Sequence, residues 1–164
     1  MEPPPPSAYQ MEYKKTSTDP TSVVYLGVLA EVREGTLHTT IYDREDEYPF
    51  HITRYPEYDT VAPHQQFGGV LMGRLVACQE ACSHMQDFKE SVANVVRRAL
   101  WRSYPVKLIS SVWSRFLHRR WTVADIRKKE LLQWFRRMLD YVINQNRREP
   151  LDYRKPYPPL RSQR

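Results

Sequence analysis

The stretch Leu37-His38-Thr39-Thr40-Ile41-Tyr42-Asp43-Arg44-Glu45-Asp46-Glu47-Tyr48-Pro49-Phe50 decides how the chain divides. Its first half is rich in β-branched residues and reads as a strand. Its second half is a charged knot, and Pro49 forbids further ladder pairing there. Upstream, residues 22–32 (Ser-Val-Val-Tyr-Leu-Gly-Val-Leu-Ala-Glu-Val) form another β run. Arg33-Glu34-Gly35 separates the two runs, and Gly35 suits a positive φ. Two β runs joined by a short Gly-containing loop predict a hairpin. Downstream, Pro56 and Pro63 keep the chain irregular to about residue 66.

Helical spacing takes over near Phe67. Val70, Leu71, Leu75, Val76 and Cys78 give the first apolar stripe. A second helix is expected over about 85–102, with Phe88, Val92, Val95, Val96 and Ala99 at spacings of three and four. Tyr104-Pro105 ends it, and Pro105 is well suited to open the next helix. The third helix, about 106–119, would bury Ile109, Val112, Trp113 and Phe116. Thr122 and Asp125 resemble a capping box before a fourth helix over about 123–146. Its apolar face would be Ile126, Leu131, Trp134, Phe135, Met138, Leu139, Val142 and Ile143. The expectation is an α+β chain. A disordered Pro-rich tail (1–20) leads to a short β-hairpin and irregular linker (21–66). A bundle of three to four helices (67–148) and a Pro-rich basic tail (149–164) follow.

The chain has 164 residues and a formal charge of +6, unevenly spread. Residues 1–63 carry five Lys/Arg against eleven Asp/Glu, and residues 64–164 carry twenty against eight. A basic half of this size points to an anionic partner, nucleic acid first among them. Arg115, Arg119 and Arg120 cluster at the end of the third helix. Arg127 and Lys128 open the fourth, and Arg136 and Arg137 follow two turns later. Arg127 and Lys128 are read as falling away from Trp134 and Met138, so a basic face beside an apolar one is expected. Guanidinium forks suit backbone phosphates. These seven residues are the candidate nucleic-acid-binding set. Trp113, Trp121 and Trp134 are read as core aromatics before base-stacking ones.

Other patterns are weaker. Asp43, Glu45, Asp46 and Glu47 have Arg44 in their midst and read as a solvated strand end, not a metal site. Cys78, Cys82 and His84 lack a fourth ligand for a structural zinc site, so the cysteines read as small buried thiols. Gly69 and Gly73, four apart, read as packing glycines, since Gly in a helix costs about 1 kcal/mol and needs a reason. Residues 156–161 (Pro-Tyr-Pro-Pro-Leu-Arg) fit a PxxPxR groove ligand, but a flexible basic tail is the expectation. No catalytic residue, metal or cofactor is assigned. No run approaches the roughly 20 apolar residues of a membrane span. With two cysteines and no signal-peptide pattern, an intracellular (nuclear or cytoplasmic) rather than secreted protein is expected.

The ordered series Tyr25-Leu26, Leu37 to Tyr42, residues 43–50, Arg54-Tyr55-Pro56, Ala62-Pro63 and Phe67 to Leu75 resembles a known family. Cys82, Asp87-Phe88, Tyr104-Pro105 and Phe116-Leu117-His118-Arg119-Arg120 continue it. It is similar to the C-terminal part of reverse transcriptases of retrotransposon-type elements, over about residues 22–121. The resemblance implies the end of a polymerase palm leading into a helical thumb-like region that holds an RNA–DNA or DNA duplex. Gly27 departs from the Asp usual there. The family's catalytic Tyr-x-Asp-Asp lies upstream of the matched region, so the metal-binding carboxylates of polymerisation are expected from a palm outside it. An alternative is a non-catalytic accessory subunit that docks through its helical bundle.

Overall fold

The computed structural model describes residues 21–42, 55–120 and 126–148. The acidic residues 43–47, Trp121, the Thr122/Asp125 box and both Pro-rich tails lie outside the described residues. Three strands come first: β1 (Ser22–Tyr25), β2 (Val28–Arg33) and β3 (Thr36–Ile41). Four helices follow: α1 (His64–Ala81), α2 (Met85–Trp101), α3 (Val106–Arg120) and α4 (Ile126–Arg148). The α+β architecture and the helix order are as the sequence predicts.

The sheet is an antiparallel meander of order β1-β2-β3. The first β run is thus two strands rather than one. Leu26 (φ 48°) and Gly27 (φ 80°) both take left-handed backbone between β1 and β2. Glu34 (φ 50°) and Gly35 (φ 76°) do the same between β2 and β3. Positive φ at both central residues is the two-residue turn whose twist matches the flanking strands. Gly27, the departure from the resembled pattern, sits where the chain turns back.

The register puts Val23, Tyr25, Val28, Ala30, Val32, Leu37 and Ile41 on one face, with Thr39 among them opposite Ala30. The other face carries Glu31, Arg33 and His38 among its polar residues. The sheet meets the helices partly edge-on. The Thr39 carbonyl accepts from the Ser83 N–H at 3.1 Å, and the Thr39 N–H donates to Ser83 Oγ at 3.0 Å. The outer edge of β3 is thereby capped by the chain between α1 and α2 instead of by another strand.

α2 stops in a Schellman motif with serine in place of glycine. Ser103 has φ 61°. The Tyr104 N–H donates to the Ala99 carbonyl at 3.0 Å, and the Ser103 N–H to that of Leu100 at 3.1 Å. These bonds satisfy carbonyls the helix end would orphan. Tyr104, held there, is buried, and its ring meets Phe67 edge-on at 5.3 Å. Tyr58 reaches Phe67 at 5.0 Å, and its N–H bonds the Arg102 carbonyl at 3.0 Å. Aromatic contacts and one backbone bond therefore fix the irregular segment before α1 to the α2–α3 corner.

α1 packs on α2 and α3, and α4 packs on α2. Trp113, Phe67, Phe116, Leu117, Val92, Val96 and Val112 are the fully buried centre. Trp113 stacks on Phe135 at 4.6 Å with planes 9° apart, tying α3 to α4. None of the described helices is long and apolar enough to cross a membrane.

The packing role expected for Gly69 and Gly73 is corrected. Both are exposed, and a Cβ at either would meet nothing within 4 Å. The close approach belongs to Gly68, which is buried with Arg115 Nη2 3.4 Å, and Leu108 and Val112 3.8 Å, from a Cβ there. Spacing alone put the pair one residue out of phase, because residues 67, 71, 75 and 78 carry the buried stripe. Gly73→Ala should therefore stabilise the fold by about 0.4–1 kcal/mol through lower unfolded-chain entropy. The urea midpoint should rise at unchanged slope. A fall in the midpoint would mean that the α1 surface at Gly73 is covered.

Candidate nucleic-acid interface and a histidine–aspartate cluster

α3 carries Lys107, Arg115, Arg119 and Arg120 and no Asp or Glu. α4 carries seven Lys/Arg against Glu130 and Asp140. Basic side chains at the C-terminal end of α3 lie where the helix dipole is negative, which favours them. Those at the start of α4 oppose its dipole. Arg115 and Arg119 are exposed and four residues apart, so they stack along one flank of α3. Arg120 turns toward α1 and pairs with Glu80 at 3.2 Å. That pair is solvent-exposed on both sides, so it contributes about 0–1 kcal/mol and is exchangeable.

On α4 the buried side chains run Lys128, Leu131, Phe135, Leu139 and Val142, at spacings of three and four. Lys128 heads this stripe and is only 7% exposed, which corrects its expected place on the basic face. A helical wheel sets Arg127 within about 20° of both Trp134 and Met138, which are only half-buried, so Arg127 shares their side instead of falling away from it. Centred on Phe135, the wheel puts Lys128 on the inner side, where its four-carbon stem can cover apolar surface. Arg127, Arg136 and Arg137 are exposed. At about 100° per residue, Arg127 and Arg136 fall on opposite flanks of α4, and Arg137 points away from the core. The structure thus stacks Arg115 and Arg119 along one flank of α3 and sets Arg136 and Arg137 on neighbouring faces of α4, about 100° apart. It does not gather all seven candidates into one row. Arg97 of α2 is buried, and burial pushes its pKa down.

Trp113 is core, as its spacing predicts. Trp134 is half-buried between Trp113 (6.1 Å) and the Lys89 ammonium (6.0 Å to the ring centre). Cys78 lies fully buried, and burial pushes its thiol up to about 12. It is neither nucleophile nor ready ligand at neutral pH. Cys82 caps the C-terminus of α1, with Sγ 3.4 Å from Ser91 Oγ, and burial raises its pKa too.

A second cluster, not foreseen as a unit, joins the sheet to α2. Asp87, in the first turn of α2, is buried at 7% exposure. Its Oδ2 is 3.1 Å from His38 Nδ1 on β3 and 3.9 Å from His84 Nδ1 at the α2 N-cap. Its Oδ1 is 3.5 Å from Arg33 Nη1 on β2. The His38 and His84 rings stack at 3.9 Å, 14° from parallel. Ser83 Oγ is 2.8 Å from His84 Nδ1. This is no Ser-His-Asp triad: Ser83 and Asp87 address the same nitrogen of His84, so no proton relay runs through the ring. The His84/Asp87 spacing is visible in sequence. His38 is 49 residues before Asp87, and only docking of β3 brings it there.

Comparison of the chain with protein-family models, with curated proteins and with solved structures gives no match.

Proposed function

We propose that the helical part of this chain binds duplex nucleic acid, RNA–DNA or DNA, through its backbone phosphates. The observation that carries the reading is the charge of the last two helices: α3 has no acidic residue, and α4 has two among seven basic ones. Exposed arginines at 115, 119, 136 and 137 offer planar forks to phosphate oxygens. Contacts of that kind position a duplex without reading its sequence. The resemblance to a reverse-transcriptase thumb supports the same reading. On that reading the chain holds the duplex and the catalytic carboxylates belong to a palm elsewhere. The test is filter binding at low salt with RNA–DNA and DNA duplexes of unrelated sequences. Binding to all of them with similar affinity is expected, and binding to none would end the proposal.

One observation favours a second reading, an accessory subunit. The apolar sheet face leaves Val23, Tyr25, Val32 and Leu37 between 50% and 72% exposed. Exposed apolar side chains grouped on one sheet face are the kind of surface on which proteins dock. It lies on the sheet, away from the bundle where docking was expected. The two readings are compatible, because the basic helices and the apolar strands are different surfaces.

A further inference from the structure

We propose that His38, His84 and Asp87 bind one divalent transition-metal ion of the zinc class, stapling β3 to the start of α2. Each residue offers one donor atom, and the three donors all lie within 4.8 Å of one another. Among the described residues it is the one His/Cys/Asp/Glu group so arranged. A tetrahedral zinc ion at about 2.0–2.1 Å from each ligand requires donors about 3.3–3.4 Å apart. The Asp87 Oδ2 distances to His38 Nδ1 and His84 Nδ1, 3.1 and 3.9 Å, bracket that value. Two imidazoles and one carboxylate are a borderline donor set. They suit zinc, cobalt or nickel, rather than the all-oxygen preference of magnesium and calcium or the thiolate preference of copper(I).

The surroundings bear on this in three ways. First, the site is held by backbone. The two Thr39–Ser83 bonds fix β3 against the α2 N-terminus, and His84 and Asp87 share one face of its first turn. Second, Asp87 is a buried carboxylate, costly to leave without a cation. Arg33, its charged neighbour on the sheet, is half-exposed and donates from Nε to Glu31 at 2.8 Å, so its charge is shared. Arg33 sits on Oδ1, which leaves Oδ2 for the ion and makes the guanidinium an outer-shell partner of the carboxylate. Third, the stacked rings hold their nitrogens in nearly parallel planes, so metal binding must turn them. The imidazole torsion is broad and soft. On turning, His38 exchanges its hydrogen bond to Asp87 for a metal bond, and Ser83 Oγ keeps the Thr39 N–H. Three protein ligands leave the fourth position to water. His84 does join a ligand set, but with His38 and Asp87 rather than with Cys78 and Cys82.

The test is titration of the full chain with Zn²⁺ against a chromophoric chelator near pH 7.5, repeated with Co²⁺ for its visible spectrum. One ion per chain and the intense bands of four-coordinate cobalt are expected. His38→Ala and His84→Ala should each weaken Zn²⁺ binding at least about tenfold. His118→Ala should leave it unchanged: that exposed histidine lies on α3, bonded to the Ser114 carbonyl. Circular dichroism checks the fold of each variant, and His38→Gln and His84→Gln replace any alanine variant that unfolds. Zn²⁺ affinity that survives loss of either histidine in a folded variant would overturn the proposal. So would a weak six-coordinate cobalt spectrum.

Discussion

Trp113→Ala is expected to remove about 3–5 kcal/mol of unfolding free energy, the largest loss from any single truncation in this fold. Trp113 is 1% exposed and lies where three helices meet. It stacks on Phe135 of α4 at 4.6 Å, and contacts Phe116 of its own helix at 5.6 Å and Phe88 of α2 at 6.4 Å. Its removal opens a cavity that α4 cannot fill without leaving α2. Small domains hold only about 5–15 kcal/mol in total, so a loss of this size removes a large share of the stability. Trp113→Phe should cost much less. The Trp113 indole N–H has no hydrogen-bond partner among the described residues, and phenylalanine removes that buried donor along with some volume. Urea unfolding followed by circular dichroism checks both variants. A loss below about 1 kcal/mol for the alanine variant would show that α4 does not pack on Trp113.

Changing Arg115, Arg119, Arg120, Arg136 and Arg137 together to Glu should abolish duplex binding while leaving the chain folded. All five are exposed, and of them Arg115 lies over the buried Gly68, 3.4 Å from where a Cβ there would be. The fold-level cost comes from Arg120, whose reversal sets two carboxylates against each other at Glu80, and from acids placed at the α3 C-terminus against the helix dipole. An exposed pair of this kind is worth about 0–1 kcal/mol. The effect on binding is far larger, because each lost phosphate contact also keeps its condensed counterions in place. A fall of at least about 100-fold in affinity at low salt is expected, measured by filter binding beside a circular-dichroism control. Retained binding in a folded variant would move the interface off α3 and α4.

The helices were legible because their stripes are long. Val92, Val95, Val96 and Ala99, or Leu131, Phe135, Leu139 and Val142, repeat over enough turns for the period to show. The α2 stop was legible at Tyr104-Pro105, although Ser103 in left-handed backbone, not the proline, makes the cap. The β1–β2 turn was missed because Leu26 is a poor residue for positive φ, and Gly27 alone inside an apolar run is a weak signal. Lys128 escapes a wheel referred to Trp134 and Met138, because the buried stripe that it heads runs through Phe135 instead. Charge alone singles out Arg115, Arg119, Arg136 and Arg137, whose exposure the structure gives, but their grouping depends on helix phase. The His38, His84 and Asp87 cluster was invisible because it is assembled by tertiary docking of a strand edge onto a helix start.

The salt dependence of duplex affinity tests the central claim most directly. If five arginines each neutralise one phosphate, log K against log salt should fall with a slope of about −4.5. The slope should be the same for duplexes of unrelated sequence and should drop by about 0.9 for each arginine reversed. Affinity independent of salt, or a slope that the arginine substitutions leave unchanged, would contradict binding through the α3 and α4 arginines.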